Sequence, residues 1–176
     1  AAGDIVDNIS GVANDASRGD VSAYSAAGGE VTLTVSDVND TPVIVAESTT
    51  ASGSFTEADL TTGSTTPDSL NGVIAFGDVD SLDSHTFTPA VKNLVWSGGQ
   101  LTQTQQDALE AAFTLGTPTD STGTGTGAQP WSFSAADSTF DFLAINETLT
   151  ATYTVTIDDG TGQGGIVTKD VVVTIT

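Results

Sequence analysis

Apolar and polar positions alternate with a period of two in several short stretches, the mark of strands with one buried face. Val31-Thr-Leu-Thr-Val35 is one, and Val43-Ile-Val45 follows Pro42. Val73-Ile-Ala-Phe76 precedes an acidic loop and Thr86-Phe-Thr88 follows it, with Leu94-Val-Trp96 beyond. Trp131-Ser-Phe133 and Phe140-Asp-Phe142 come next. The clearest pair is Thr150 to Ile157 and Val167 to Thr176, separated by Asp158-Asp-Gly-Thr-Gly-Gln-Gly-Gly165, a loop of hairpin composition. Many short strands with turn signals between them predict a β-sandwich.

One segment departs from this pattern. Leu101 to Phe113 predicts a short helix at about 102–114, with Thr102 as N-cap and Gln105 completing a capping box. Leu109, Ala112 and Phe113 share a face at i, i+3 and i+4, and Gly116 is placed to stop the helix. The narrow face suits a lid over one edge or end of the sandwich. Residues 117–127 are rich in Gly and Thr and predict an exposed loop.

A repeat organises the chain. Val31-Thr-Leu-Thr-Val-Ser36 matches Val171-Val-Val-Thr-Ile-Thr176 in pattern, about 140 residues on. The first copy runs into Asp37-Val-Asn-Asp-Thr-Pro42. The expected organisation is therefore a tail of a preceding repeat over 1–36, a linker over 37–42 and one full sandwich over 43–176, cut from a tandem array.

Charge narrows the functions. Three Lys and Arg stand against 23 Asp and Glu, for a formal net charge of -20. Phosphate recognition needs basic clusters, so nucleic-acid binding is excluded, and so is docking on an anionic membrane. No apolar run has the length of a spanning helix. With no Cys and one His, thiol chemistry, disulfides and zinc sites built on Cys or His clusters are excluded as well. A composition rich in Thr, Val, Gly and Asp without Cys suggests an extracellular β-protein, in which bound divalent cations relieve self-repulsion.

Four carboxylate groups are candidate Ca²⁺ ligands. They are Asp37, Asn39 and Asp40 in the linker; Asp78, Asp80 and Asp83; Asp158 and Asp159; and Glu57 with Asp59. Ca²⁺ takes six to eight oxygens from carboxylates, amides, carbonyls and water. Alternate spacing such as Asp78/Asp80 brings two carboxylates of a turning loop to one ion, and Asp83 can close the shell. Asp68, Asp107, Asp120 and Asp137 have the settings of turn, cap or surface residues. His85 is expected to pack beside the acidic loop or to hydrogen-bond within it.

Paired carboxylates also serve glycosidases, flanked by aromatic sugar platforms. Here Trp96 and Trp131 fall within predicted strands, where core packing is expected, and no nucleophile motif accompanies them. No enzymatic activity is expected.

Gly72-Val-Ile-Ala-Phe-Gly-Asp-Val-Asp-Ser-Leu-Asp-Ser-His-Thr-Phe87 resembles the opening motif of VCBS-type repeats in giant bacterial RTX adhesins. The stretch Leu101 to Leu109, Trp131-Ser-Phe133, Phe140 to Ala144 and Glu147 to Gly160 is similar to the helix-bearing variety of that repeat. Asp37-Val-Asn-Asp-Thr-Pro42 resembles the cadherin-like Asp-x-Asn-Asp-x-Pro linker, with Thr41 where cadherin linkers carry a second Asn. The resemblance implies an all-β, immunoglobulin- or cadherin-like sandwich stiffened by Ca²⁺. It implies Ca²⁺ roles for Asp37, Asn39, Asp40, Asp78, Asp80 and Asp83, and for Asp158, Asp159 and Glu57. The implied function is a structural extender on the bacterial cell surface that projects a distal binding module in adhesion and biofilm formation, with neighbouring repeats of the same chain as partners. The alternative is a carbohydrate-binding adhesin module that uses the 117–127 loop and exposed aromatics.

Overall fold

The longest alternation makes an inner strand. In Leu149–Asp158 the side chains of Leu149, Ala151, Tyr153, Val155 and Ile157 are buried, and the Thr residues between them are half-buried on the opposite face. A computed structural model provides the structure, which describes residues 38–58, 62–162 and 164–176; of these, Val38–Thr176 belong to one compact unit. The predicted strand at Val31–Val35 and the predicted tail over 1–36 lie outside the described residues.

The strands in chain order are β1 (Val43–Ile44), β2 (Ser52–Phe55), β3 (Pro67–Gly77), β4 (Thr86–Trp96), β5 (Phe113–Leu115), β6 (Thr126–Ala136), β7 (Leu149–Asp158) and β8 (Ile166–Ile175). They form two four-stranded sheets, ordered β1-β3-β6-β5 and β2-β8-β7-β4. β1 pairs antiparallel with β3, then the chain crosses through a 3₁₀ turn at Ala46–Ser48, and β2 pairs parallel with β8. All other pairings are antiparallel. Two facing sheets with this order make an immunoglobulin-like all-β sandwich, as the sequence predicted.

The core lies between the inner faces. Ile74 and Phe76 of β3 and Trp131 and Phe133 of β6 face the buried side of β7 and Val171, Val173 and Ile175 of β8. Phe113 stacks on Tyr153 with ring centroids 4.3 Å apart. Burying one such aromatic ring stabilises the fold by about 1.5–3 kcal/mol, so these rings dominate the sandwich. The Trp131 indole lies against Gly72, where a Cβ would collide with it, and its Nε1–H donates to the Thr50 carbonyl at 2.7 Å.

The helix, α1 (Gln103–Ala112), carries the expected capping box between Thr102 and Gln105. Leu109, Ala112 and Phe113 are buried as the spacing predicted. The Tyr153 hydroxyl donates to the Leu109 carbonyl at 2.7 Å, which satisfies a last-turn acceptor that the helix leaves open. The stop differs from expectation. Gly116 does not end the helix, because Phe113 is already extended and pairs with Phe133 as the first residue of β5.

Two other strand expectations change. Thr86–Thr88 and Leu94–Trp96 are ends of one strand, continuous through a register shift between Val91 and Asn93. β4 is the outer strand of its sheet, so Pro89, Lys92 and the bulge sit where they blunt an exposed edge. Phe140–Phe142 is not a strand; it follows a 3₁₀ turn at Asp137–Thr139, and Phe140 plugs the core from that turn. No helix among the described residues is long and apolar enough to cross a membrane.

Candidate metal centre

β3 and β7 end at the same pole of the sandwich, and β1, β4, β6 and β8 begin there. The acidic loops that follow β3 and β7 therefore meet. After β3, the Asp78 N–H donates to Gly125 at 3.1 Å. Asp78 Oδ1 accepts the Asp80 N–H at 2.9 Å, and the Asp83 N–H donates back to the Asp80 carbonyl at 3.0 Å. This is a side-chain-closed turn of the kind Asp favours. After β7, Asp159 Oδ1 accepts both the N–H and the hydroxyl of Thr161, at 2.9 and 2.7 Å. The Asp159 carboxylate lies directly on Gly165, in space that a Cβ would occupy.

The result is a group of three carboxylates. One oxygen from each of Asp78, Asp83 and Asp159 lies within 4.8 Å of the others. Asp78 and Asp159 are 3% and 4% exposed, while Asp83 is half-buried. Asp83 Oδ2 is shielded from solvent and has no hydrogen-bond partner. A buried carboxylate oxygen without a donor is costly unless a proton or cation supplies the missing partner.

Residues 39–41 strap onto this group. The Asn39 side-chain amide donates to Asp159 Oδ2 at 3.0 Å, the Asp40 N–H to Asp80 Oδ2 at 2.6 Å, and the Thr41 hydroxyl to the Gly164 carbonyl at 3.2 Å. Pro42 is buried just beyond. Three stretches that are far apart in the sequence are thus brought together: Asn39 and Asp40, Asp78 to Asp83, and Asp159. Asp37 lies outside the described residues. Asp158 belongs to its own turn, where Oδ1 accepts the Gly160 N–H at 2.8 Å, and it is not part of the three-carboxylate group.

The electrostatics follow from this crowding. Burial first, then the charges of Asp80, Asp159 and Asp78, push the Asp83 carboxyl above its usual range, with His85 acting in the opposite direction. Burial alone would raise Asp159 too. The Thr161 and Asn39 donors outweigh it and hold that carboxyl below its usual range.

His85 hydrogen-bonds within the acidic loop, as expected of it. Its ring is buried against Phe76, with centroids 4.9 Å apart. Nε2 meets Asp78 Oδ2 at 2.9 Å and Nδ1 meets Asp120 Oδ1 at 2.7 Å. Asp120 also accepts the backbone N–H groups of His85 and Ser121. Its neighbourhood corrects one expectation. Asp120 is a partner of the buried His, not merely a turn residue. The 117–127 loop is largely exposed, as predicted, and it is also tied to the acidic loop: the Thr122 hydroxyl bonds the Asp83 carbonyl at 2.6 Å, the Gly123 N–H bonds Ser81 at 2.8 Å, and Ser121 is buried.

Glu57 lies at the far pole, where its N–H donates to the Thr176 carbonyl at 2.9 Å. It is grouped there with Asp137 and Asp141, again within 4.8 Å. Burial and the adjacent charge of Asp137 raise the Asp68 carboxyl. Asp137 does begin a turn, as its sequence setting suggested, but it is buried beside these acids and not at the surface. No local spacing links Glu57 to Asp137 and Asp141, since only the folded pole joins them.

Neither tryptophan offers an open platform. Trp131 is buried, and Trp96 packs edge-on against Phe142 with its Nε1–H on Glu147 at 3.0 Å.

No family model and no curated protein matches the chain. Among solved structures it is similar to AggA, the major subunit of aggregative adherence fimbriae type I from Escherichia coli, at 14% identity, with a TM-score of 0.46, over 81% of this chain and 100% of that one. It is also similar to PapD-like domain 7 of human CEP192, at 13% identity, with a TM-score of 0.38, over 87% of this chain and 96% of that one.

Proposed function

We propose that this chain is a structural repeat of a bacterial cell-surface adhesin of the VCBS/RTX type, stiffened by Ca²⁺ and acting through its length and rigidity without catalysis. The observation that carries this reading is the meeting of Asp78, Asp83 and Asp159 within 4.8 Å, with linker residues Asn39 and Asp40 bonded to the same loops.

The donors fit the ion. Every side chain of the group offers oxygen, the hard ligand that Ca²⁺ selects, and Asp83 Oδ2 is shielded and unpartnered. Asp78, Asp83 and Asp159 would hold the ion. Asn39 and Asp80 orient the shell by hydrogen bonding. Bound Ca²⁺ would replace repulsion between the carboxylates with shared coordination. The chain's own residues do the mechanical work: β1 begins four residues after Asn39, so fixing Asn39 and Asp40 fixes the direction in which the linker leaves the sandwich.

Residues 38–42 lie at one pole and Thr176 at the other, a layout suited to units joined end to end. The partners are then neighbouring repeats in the same chain, and the location is extracellular. The carbohydrate-binding alternative loses support from the buried Trp131 and from the engagement of the 117–127 loop with the acidic loop.

The test uses two copies of Val38–Thr176 joined through the 37–42 linker. Small-angle scattering is expected to give a larger maximum dimension and a narrower distribution with Ca²⁺ than with chelator. Identical profiles in both conditions would remove the stiffening role.

A further inference from the structure

Among the described residues, Asp78 is the only member of the three-carboxylate group held by a side chain from inside the sandwich. Its Oδ1 accepts the Asp80 N–H, and its Oδ2 faces His85 Nε2 at 2.9 Å. Both side chains are fully shielded from solvent. The imidazole is itself fixed on its other side by Asp120, at 2.7 Å, and Asp120 is anchored by two backbone N–H groups. Each ring nitrogen therefore lies within hydrogen-bond distance of a carboxylate oxygen. The order is thus backbone, Asp120, His85, Asp78. Of these four, only Asp78 belongs to the acidic group.

We propose that His85 is the positioning residue of the acidic centre: oriented by Asp120, it holds the Asp78 carboxylate toward Asp83 and Asp159 for a divalent cation. This rests on the reading of those three carboxylates as Ca²⁺ ligands. The physical logic is that of outer-shell partners in metal sites, where a hydrogen bond to the far side of a ligand fixes its orientation. A free Asp78 would turn away from Asp83 and Asp159, because its neighbours repel it. The buried imidazole prevents this, wedged between the Phe76 ring and the Asp120 carboxylate. It also ties the 78–85 loop to the 117–125 loop.

The experiment compares the full chain with His85→Gln and His85→Leu. The Gln amide can still donate to Asp78, whereas Leu cannot. Calorimetric Ca²⁺ titration is expected to show His85→Leu weakened by about 10- to 100-fold and His85→Gln close to wild type. The chain has a single histidine, so ¹⁵N-imidazole NMR of the wild-type protein reads the contact directly. Ca²⁺ is expected to shift Nε2, which faces Asp78, more than Nδ1, which faces Asp120. If both variants bind Ca²⁺ more tightly, His85 is only a counter-charge and the proposal fails. If both melt lower but bind with unchanged affinity, it is only a core residue and the proposal fails. Should His85→Leu not fold, an Nε2 resonance unmoved by saturating Ca²⁺ overturns the proposal in the wild-type protein alone. If the wild type binds no Ca²⁺, the metal reading itself falls, and this inference falls with it.

Discussion

Asp83→Asn should have opposite effects on stability with and without Ca²⁺. In the metal-free chain, Asp83 carries an oxygen with no partner and faces the charges of Asp80, Asp159 and Asp78. Neutralising it removes that repulsion, so the variant is expected to melt above wild type in chelator. With Ca²⁺ the same charge becomes a ligand. An ion that binds only the folded state adds about 2.7 kcal/mol at a concentration 100-fold above its dissociation constant. For a domain of this size, each kcal/mol moves the melting temperature by about 3 °C, so wild type should gain about 8 °C. Asp83→Asn should lose most of that gain, and the two melting curves should change order between the two buffers. Asp107→Asn is the control. Asp107 is on the exposed face of α1 and accepts only the Gln103 amide, at 2.8 Å. Removing it takes away one negative charge from a chain of net charge -20 without touching the pole. Thermal melts followed by circular dichroism, with Ca²⁺, with Mg²⁺ and with chelator, decide the matter. Mg²⁺ should rescue poorly, because it prefers a tight octahedron and keeps its waters. If wild type melts identically with Ca²⁺ and chelator, or if Asp83→Asn and Asp107→Asn behave alike, the reasoning is refuted.

Leu109→Ala should cost about 2–5 kcal/mol, because the fully buried Leu109 seats α1 on the core; urea unfolding of the metal-free chain measures it, and the Ca²⁺ gain should be unchanged. The metal-free protein should also lose stability on the acid side. Burial would raise Asp120, but the His85 and Ser121 donors outweigh it and lower its pKa. Its contribution is therefore complete above the unfolded value of about 3.9 and lost as pH falls through the lower folded value. Asp120→Asn should flatten that acid limb in melts recorded as a function of pH. Asp83 acts in the other sense, since its raised pKa removes stability as pH climbs from about 3.9 through the folded value.

Most of the sandwich was legible because its strands are half-buried. The alternation of β7 is the pattern that a sheet with one covered face imposes, and the capping box at Thr102 is local chemistry that needs no tertiary partner. The errors came where tertiary pairing overrode local signals. Phe113 has the spacing of a helical core residue but is taken by β6, and Phe140 has the pattern of a strand but serves as a plug from a turn. β2 has only Phe55 as an apolar signal in Ser-Gly-Ser-Phe, and its parallel pairing with β8 leaves no mark in the sequence. The site divides the same way. Asp78, Asp83 and Asp159 announce themselves by acidity next to strand ends. Asp120 hides in a Gly/Thr loop, and Asp137 lies far from Glu57 along the sequence although the fold brings the two together.

The placement of these acids explains why a protein would tolerate their repulsion. The sandwich core needs none of them, since its inner faces close on Ile74, Phe76, Phe133 and the apolar sides of β7 and β8. The acids are attached instead to strand ends that belong to different sheets. Asp78 closes β3 in the first sheet, Asp159 follows β7 in the second, Asp83 precedes β4 at the edge of the second, and Asn39 and Asp40 lead into β1 at the edge of the first. A cation drawn to Asp78, Asp83 and Asp159 would therefore tie both sheets and, through Asn39, the incoming linker at one point. Without it, those strand ends are held by hydrogen bonds alone, with mutual repulsion acting against them. Local opening is then easiest at this pole, while the core stays closed. A site in the middle of a sheet could change stability but not the direction of the linker. One at the pole where residues 39–42 enter the sandwich would couple ion binding to the direction of that segment, as the proposed extending role requires.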